Sequence, residues 1–299
     1  MANKKLYSIC AVNIRVHPHP KGRYEELLRD VMNMRRSVSV YGMHHVLMTM
    51  IRKDEMVGKD VLYGMLAKYT RIKVDGRWFN EATMKVAGED ELMEINIPDN
   101  LQPNLNEFRF MLLPDSHVIF VEFEADGERM APAHVGKYFE NVFSADAIRK
   151  KFGVVDVTVI PVVSAVSEML SLPLVKKIEL KIRRPNPDDF DDINPEDFEE
   201  EMLEIMDDQN IAEIREHYIA RPGVSVVLNN KTKMKADLAA RNGEVLVFGR
   251  NAEGERVTLS SQKMPMIERG YFGVDFHGYG AFVDLVLKML PKVLVRRNV

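Results

Sequence analysis

Residues 175–208 constrain the fold more than any other part of this sequence, because the character of the chain changes abruptly within them. Residues 175–184 alternate apolar and charged side chains, with Ile178, Leu180 and Ile182 on one face, as expected for a half-buried β-strand. Pro185-Asn-Pro187 ends that strand, since neither proline can donate a ladder hydrogen bond. The sequence therefore predicts a strand followed by a sharp exit.

An acidic segment follows this exit. Residues 188–208 hold twelve carboxylates and neither Lys nor Arg. A chain of 299 residues is long for one hydrophobic core. We therefore predict two domains that meet at this break, an N-terminal α+β domain over residues 1–184 and a C-terminal α+β domain over residues 185–299.

The formal net charge of −4 conceals a segregation of charge along the chain. Outside the acidic segment the chain has 33 acidic and 41 basic residues. Patches of charge, rather than the net charge, steer binding partners. A basic body that carries one acidic segment therefore favours an anionic partner for the body and a basic or apolar partner for the segment.

Cys10 is the only cysteine, which excludes an internal disulfide and a cysteine-rich zinc site. It lies in an apolar run, and we interpret it as a buried thiol. The first residues lack the apolar core of a signal peptide, and no run reaches the ~18 apolar residues of a membrane span. We expect a cytoplasmic protein that is not bound to membrane.

The predicted elements favour an α+β fold. Up to residue 184 they run strand, helix, two strands, a loop, two strands, helix, strand, helix and strand, which is typical of a mixed, largely antiparallel sheet with ferredoxin-like (split βαβ) elements. The apolar strand at 154–160 is predicted to be central in that sheet. The smaller C-terminal domain is predicted to contain an acidic helix at 195–219, a basic helix at 231–241, strands at 244–249, 256–261 and 264–267, and a final helix at 282–290.

Metal and cofactor sites have little support in the sequence. His17 and His19 are close, and His44 is next to His45, but no carboxylates stand at ligand spacing, so turn or surface histidines are the preferred interpretation. The phosphate-binding, dinucleotide-binding and serine-hydrolase motifs are also missing. We predict no metal site and no cofactor, and we assign no catalytic residues apart from the weak nuclease candidates described next.

A magnesium-dependent nuclease is a third and weaker hypothesis. Such enzymes place an acidic residue on one strand and Glu-x-Lys on a later strand, so that two carboxylates hold Mg²⁺ near a lysine. Asp156 in one predicted strand, with Glu179 and Lys181 in another, has a permissive spacing. Glu-x-Lys is also common on solvated strand faces, so these three residues are candidates only.

Basic clusters are the better functional signal. Phosphate neutralisation needs several cations on one surface and no base-specific chemistry. The candidate nucleic-acid-binding residues are Arg35, Arg36, Arg149, Lys150, Lys151, Lys176, Lys177, Arg183, Arg184, Lys231, Lys233 and Lys235. The alternative interpretation is that these basic side chains only form a surface exposed to water and bind no nucleic acid. The acidic helix could equally dock on a protein partner, such as the product of a neighbouring gene, or simply aid solubility.

Several tracts also carry a resemblance to a known family. They are Val12-Asn-Ile-Arg15, His17-Pro18, Trp78-Phe-Asn80, Ile97-Pro-Asp-Asn-Leu-Gln-Pro-Asn-Leu105, Lys151-Phe-Gly153, Val157-Thr158 and Arg184-Pro-Asn-Pro-Asp-Asp189. Over nearly its whole length the chain resembles a family of bacterial and prophage proteins classed only as a domain of unknown function. The family is found in mobile-element and phage-defence settings, so the resemblance implies a role in phage defence or prophage exclusion.

A weaker similarity, in size and two-domain order, is to the phage-exclusion protein RexA, a dimer that binds DNA with little sequence preference. This is analogy at the level of architecture. The function we predict is therefore a non-enzymatic homodimer that binds duplex DNA through phosphate contacts, without sequence preference, in phage defence. The protein-interaction module is the first alternative and the nuclease the second.

Overall fold

The fold is that of a computed structural model, which describes residues 4–16, 20, 22–184, 197–273 and 276–295. The strands are β1 (Lys4–Val16), β2 (Val38–Tyr41), β3 (His44–Met56), β4 (Lys59–Thr70), β5 (Phe79–Asn80), β6 (Lys85–Val86), β7 (Asn106–Leu113), β8 (Val118–Ala125), β9 (Glu128–Arg129), β10 (Val155–Val159), β11 (Leu174–Arg183), β12 (Glu213–Ile219), β13 (Gly243–Arg250), β14 (Arg256–Ser260) and β15 (Ile267–Gly273). The helices are α1 (Arg23–Met34), α2 (Glu89–Met93), α3 (Pro132–Phe143), α4 (Asp146–Phe152), α5 (Ala165–Leu170), α6 (Asp197–Asp208), α7 (Asn230–Arg241) and α8 (Gly278–Val295).

The larger sheet is organised around β1. Among the described residues it has nine strands in the order β10-β1-β8-β7-β4-β3-β2, with β9 beside β8 and β15 beside β1. One edge of β1 pairs with β8. Its other edge pairs first with β15, from Lys4 to Cys10, and then with β10, from Val12 to Val16. Three strands therefore meet on the thirteen residues of β1.

The predicted fold class is confirmed. In chain order β1, α1, β7, β8, α3–α4 and β10 form a ferredoxin-like unit, since their spatial order is β10-β1-β8-β7 and all adjacent strands are antiparallel. Each crossover helix thus joins two parallel strands that have a third strand between them. The meander β2-β3-β4 is inserted between α1 and β7 and extends the sheet on that side.

Both faces of the large sheet are buried, which explains the continuous apolar run in β1. Cys10 and Val12 face one cluster, which is covered by α1, α3 and α4. Ile9 and Ala11 face a second cluster on the opposite side, covered by α8 through residues such as Phe282. Alternate residues of a strand point to opposite faces, so a strand that is covered on both sides must be apolar throughout.

The second sheet has four antiparallel strands in the order β12-β11-β13-β14. Helices α5, α6 and α7 pack on one of its faces. Ile178, Leu180 and Ile182 all lie in that core, as the alternation in the sequence predicted. Leu238 of α7 packs into the same cluster. The other face carries mostly polar and charged side chains, with Ile219, Leu246 and Phe248 among them.

No single position in the sequence separates the elements of one sheet from those of the other. β11 belongs to the second sheet, although it precedes the predicted break, whereas β15 and α8 belong to the first. The chain leaves the large sheet at Pro161 and returns at Pro265, and these two residues form an isolated antiparallel bridge. The division into domains at residues 184 and 185 stays a prediction, because membership of a sheet alone does not define a domain.

Three predictions of secondary structure are wrong. The strand predicted at 264–267 begins only at Ile267 and runs to Gly273 as β15, because these residues pair along β1. The acidic helix predicted at 195–219 ends at Asp208, and residues 213–219 form β12, because their alternating pattern pairs along the edge of β11. The strand predicted to be central, β10, is an edge strand that pairs with β1. Its apolar side chains are buried by helix α3 and the adjoining core rather than by strands on both sides.

Some predicted features fall outside the described residues. These are His17, His19, Pro185-Asn-Pro187 and the acidic residues that precede Asp197.

Candidate nucleic-acid interface

The candidate site is the face of the second sheet opposite its core, which we call the open face. Residues that are paired in register share a face of a sheet, so the pairings define its members. They are Lys177, Glu179, Lys181 and Arg183 of β11, Glu213, Arg215, His217 and Ile219 of β12, Glu244, Leu246, Phe248 and Arg250 of β13, and Arg256, Thr258 and Ser260 of β14. Helices α5, α6 and α7 pack on its other face, whereas α3 lies across a cleft from Glu244, Leu246, Thr258 and Ser260 of the open face.

The open face has an excess of positive charge. Six of its side chains are Lys or Arg and three are Glu. Lys177 and Arg183 are six positions apart on one strand, so the face is about 20 Å long at ~3.3 Å per residue. Along one strand of B-DNA, at ~3.4 Å per phosphate, that length corresponds to about six phosphates. The size and charge of the face suit a short stretch of a nucleic-acid backbone.

An aromatic ring lies within this basic surface. Phe248 is on β13, and the Lys177 ammonium lies 5.5 Å from the centre of its ring. An exposed ring beside cations is the combination with which proteins stack on unpaired bases while holding the phosphates. Phe248 is half-buried, so part of its ring is accessible.

Glu213 holds three of the six cations of the open face. Its carboxylate lies 3.1 Å from Lys181, 3.6 Å from Arg183 and 2.6 Å from Arg215. Partial burial opposes ionisation of this carboxyl, but the hydrogen bonds from Arg215 and Lys181 outweigh it and hold the pKa of Glu213 below its usual range. The group is therefore anionic at neutral pH, and a bound phosphate would compete with it for these cations.

The twelve predicted nucleic-acid-binding residues lie on more than one surface. Lys177 and Arg183 are on the open face, with Lys176 at a β-bulge beside it and Arg184 directly after β11. The others lie on three helical regions, with Arg35 and Arg36 after α1, Arg149, Lys150 and Lys151 on α4, and Lys231, Lys233 and Lys235 on α7. Since α7 packs on the core side of the second sheet, its lysines cannot form one surface with the open face.

Several of these cations are engaged by carboxylates of the same chain. The pairs are Lys151 with Glu26 and Asp30, Lys177 with Glu179, Arg183 with Asp156, Arg184 with Asp207, Lys231 with Glu201, and Lys235 with Glu216. Exposed ion pairs are worth ~0–1 kcal/mol, so a phosphate can displace many of them. Whether the twelve residues bind nucleic acid stays a prediction.

The sequence reasoning missed four residues of the open face, which are Arg215, Phe248, Arg250 and Arg256. Arg215 was missed because it was assigned to a helix. The others lie on strands that were predicted, and the alternation Glu244, Leu246, Phe248, Arg250 was a signal that could have shown their common face. That strand alternates in burial along its whole length.

The three nuclease candidates are not brought together. Asp156 forms an ion pair with Arg183 at 3.3 Å, whereas Glu179 forms one with Lys177. Glu179 and Arg183 are four positions apart on β11, about 13 Å at ~3.3 Å per residue. Over the described ranges, no group of three or more His, Cys, Asp or Glu side chains could hold a metal ion. The nuclease hypothesis itself stays a prediction.

One end of the open face borders a groove between the two sheets. A cleft of about 340 Å³ separates α3 from Glu244 and Ser260. It shares Glu140 with a second cleft of about 320 Å³, which in turn shares Asp156 with a third of about 280 Å³. The groove contains side chains of both signs, so it resembles a junction between layers more than a dedicated anion site.

Buried polar contacts fix the orientation of the two sheets. Arg15 of β1 is fully buried and donates to Asn242 Oδ1 at 2.5 Å and to Thr158 Oγ1 at 3.2 Å. Arg183 of the open face also donates to the carbonyl oxygen of Val157 at 3.1 Å. Charge-assisted hydrogen bonds are stronger than those between neutral groups, and these contacts tie β11 and the residue before β13 to β1 and β10 of the larger sheet.

Other candidates have structural explanations. The Cys10 thiol is fully buried, and burial raises its pKa to about 12, so the interpretation as a buried thiol is confirmed. His45 lies 2.9 Å from Ser37 Oγ and stacks on Tyr69, and partial burial followed by the charge of Arg71 lowers its pKa. These contacts position His45 as a structural side chain.

The acidic helix packs on its own chain. Met202 and Met206 are buried, and Met202 lies in the core of the second sheet. Asp207 holds Arg184 at 2.7 Å, and Glu201 lies 3.4 Å from Lys231. The part of this helix whose side chains are described therefore buries apolar side chains in the protein and forms ion pairs with other residues of the same chain.

Comparison with known proteins gives a family and no described activity. No curated protein matches the sequence, and the weaker likeness to RexA is not shown. Within the described ranges, no helix has the length and hydropathy needed to cross a bilayer. The predicted resemblance to an uncharacterised family is confirmed. A family model matches residues 5–273, and the chain belongs to that family, whose description is "Domain of unknown function (DUF4747)".

Proposed function

We propose that this protein binds DNA through the open face of the second sheet, by contacts to phosphates and without sequence preference. The observation that carries the proposal is the set of six basic side chains on one sheet face opposite its core, with Phe248 beside one of them, Lys177. Lysine and arginine heads spaced along strands match a row of phosphates, and such contacts carry no sequence information.

The setting we propose is phage defence or prophage exclusion. This follows from the resemblance to a family found in mobile elements, and it agrees with a protein that must act on invading DNA of any sequence. The proposed activity is binding rather than catalysis. The protein-interaction module, the homodimer and the nuclease stay predictions, although the acidic helix has less apolar surface to offer a partner than its sequence suggested.

Fluorescence anisotropy with labelled duplex and single-stranded DNA of equal length tests the proposal. Binding should weaken as salt rises. With a slope of about −0.9 per neutralised phosphate, a change from 50 to 200 mM salt costs about 40-fold in affinity if three net charges act and about 2,000-fold if all six act. The measured slope therefore reports how many intramolecular ion pairs the DNA displaces.

Two variants of equal net charge locate the site. Arg215, Arg250 and Arg256 lie on three different strands of the open face, so replacing all three by Gln should lower the slope by about 2–3. The control replaces Arg35, Arg36 and Lys150, which are exposed on other surfaces. Circular dichroism of both variants checks their folding.

The open-face variant and the control variant give distinguishable outcomes. Loss of binding and of salt dependence only in the open-face variant supports the proposal. Equal losses in both variants, or a loss only in the control, would place DNA elsewhere and overturn it. A wild-type protein that binds neither form of DNA at low salt would end the proposal altogether.

A further inference from the structure

A 35-residue excursion between β4 and β7, residues 71–105, has no buried residue at all, although every one of its residues is described. We call it the arm. It contains the short hairpin β5–β6, the single-turn helix α2 and loops. β4 and β7 are neighbours in the sheet, with Lys68 opposite Asn106, so the arm leaves and rejoins the sheet at the same place.

The arm is held together by polar contacts rather than by a core. The Trp78 ring nitrogen donates to the Val74 carbonyl oxygen at 3.0 Å, and the Asn80 side chain accepts from two backbone amides of the following turn. The Glu91 carboxylate accepts from the Gly88 amide at 2.8 Å. Its backbone is thus defined while its apolar side chains are left without cover.

Those side chains are large and exposed. They are Val74, Phe79, Met84, Val86, Met93, Leu101 and Leu105, with exposed fractions from 37% to 81%. At roughly 150–200 Å² for a fully exposed large side chain, they leave on the order of 700 Å² in solvent. Monomeric proteins rarely expose contiguous apolar patches beyond a few hundred Å², and in the arm Phe79 and Val86 are paired residues on one face of the hairpin. A partner that covers the arm would remove this cost.

We propose that the arm binds the arm of a second copy of this chain. A standard interface buries about 800 Å² per partner, which is close to what the exposed side chains supply. The hairpin β5–β6 is a two-stranded sheet in which Phe79 is paired directly with Val86, so both lie on one face. Two such hairpins can meet across a two-fold axis, the commonest symmetry of homo-oligomers, and join their apolar faces.

The charge of the arm predicts how this contact responds to salt. Residues 71–105 contain seven acidic and four basic side chains, a net charge of −3. Two arms therefore repel each other weakly, and salt screens that repulsion while strengthening apolar contact. The dimer should persist or tighten as salt rises, which is opposite to the response expected of the open face towards DNA.

Sedimentation equilibrium of the full chain tests the inference, with three variants. The first replaces Phe79, Val86 and Met93 by Ser, which changes no charge. The control replaces Val163, Val227 and Tyr271 by Ser, because these apolar residues are similarly exposed outside the arm.

The third variant removes residues 71–103, which are all of the arm except Asn104 and Leu105. Thr70 accepts from the Asn104 side chain at 3.2 Å, and its amide donates to the Pro103 carbonyl oxygen at 2.9 Å, so the two chain segments stay close beyond the last paired residues, Lys68 and Asn106. Replacing residues 71–103 by Asn-Gly would join them in a two-residue hairpin turn and leave β4 and β7 paired. This variant separates loss of the arm from loss of the fold.

The expected result is a dimer of the 34.3 kDa chain for the wild type and the control, and a monomer for the first and third variants. A monomeric wild type would overturn the inference, as would a dimer that survives removal of the arm. A dimer that dissociates as salt rises would be held by ion pairs and would also overturn it. DNA binding by a monomeric arm variant shows that the two proposals stand independently.

Discussion

The buried pair Arg109–Glu122 allows a prediction about stability and pH. Glu122 of β8 is fully buried, and its carboxylate accepts from the Arg109 amide at 3.1 Å and from the Arg109 guanidinium at 2.9 Å. The Arg109 side chain is only 21% exposed. Burial raises the pKa of Glu122 from 4.5 to about 7, and the attraction of Arg109 offsets only part of this effect.

The direction of the effect follows from proton linkage. Because the pKa of Glu122 is higher in the folded protein than in the unfolded chain, the folded state binds more protons between these two values. The stabilisation is fully present below about pH 4.5 and is lost as the pH rises through about 7. A shift of this size corresponds to about 3 kcal/mol, of which about 2.5 kcal/mol is lost between pH 5 and pH 8.

Glu122→Gln isolates this contribution, since it keeps the shape of the side chain and removes the ionisation. Urea unfolding followed by circular dichroism gives the free energy of unfolding at each pH. Relative to the variant, the wild type should lose about 2–3 kcal/mol between pH 5 and pH 8. Arg109→Met should in turn cost about 3–5 kcal/mol at pH 8, where the carboxylate is charged, and less at pH 5.

The reasoning would be refuted by a constant difference between wild type and Glu122→Gln across this range. A wild type that gains stability relative to the variant as pH rises would refute it more strongly. Either result would mean that Arg109 keeps the carboxylate ionised in the folded protein despite its burial.

Three further predictions concern other residues. Glu213→Gln should raise the affinity for DNA and steepen the salt slope by about 1, because it releases Lys181 and Arg215 of the open face, while Asp156 still pairs with Arg183. An unchanged slope in anisotropy titrations would contradict this. Gly243→Ala should lower the free energy of unfolding in urea by more than about 3 kcal/mol, because an added Cβ would lie 1.9 Å from the Lys181 carbonyl oxygen. A near-neutral effect would show that β11 and β13 can separate. Cys10 should react with a disulfide reagent only after unfolding, because its thiol is fully buried and has a raised pKa. Rapid reaction of the native protein would disprove that burial.

Much of the architecture could be predicted because the signals are local. The spacing of Tyr24, Leu27, Leu28 and Val31 predicted α1, and all four residues are buried in the structure. The order of strands and helices also indicated the ferredoxin-like core, since this topology follows from short connections and split crossovers.

The errors arose where the partner of a segment is distant in sequence. Ile211 and Ile214 fit a helical spacing, but Ile214 lies on β12, which is fixed by pairing along β11 about 35 positions earlier. The same limitation applies to the basic clusters, because the side of the second sheet on which a lysine lies is decided by packing of α7 and not by the lysine. The missing cover of the arm could not be read from its sequence, which contains the apolar residues of an ordinary core.

The return of the chain to β1 has a consequence for folding during synthesis. Residues Lys4 to Cys10 pair with β15, whose residues are made more than 250 positions later. Until β15 and α8 leave the ribosome, the Lys4–Cys10 part of one edge of β1 has no strand beside it, and the apolar face that carries Ile9 and Ala11 has no helix over it. Contacts of such long sequence separation form late and slowly. A chain truncated before β15 should therefore be a substrate for chaperones and proteases, so only completed copies would accumulate.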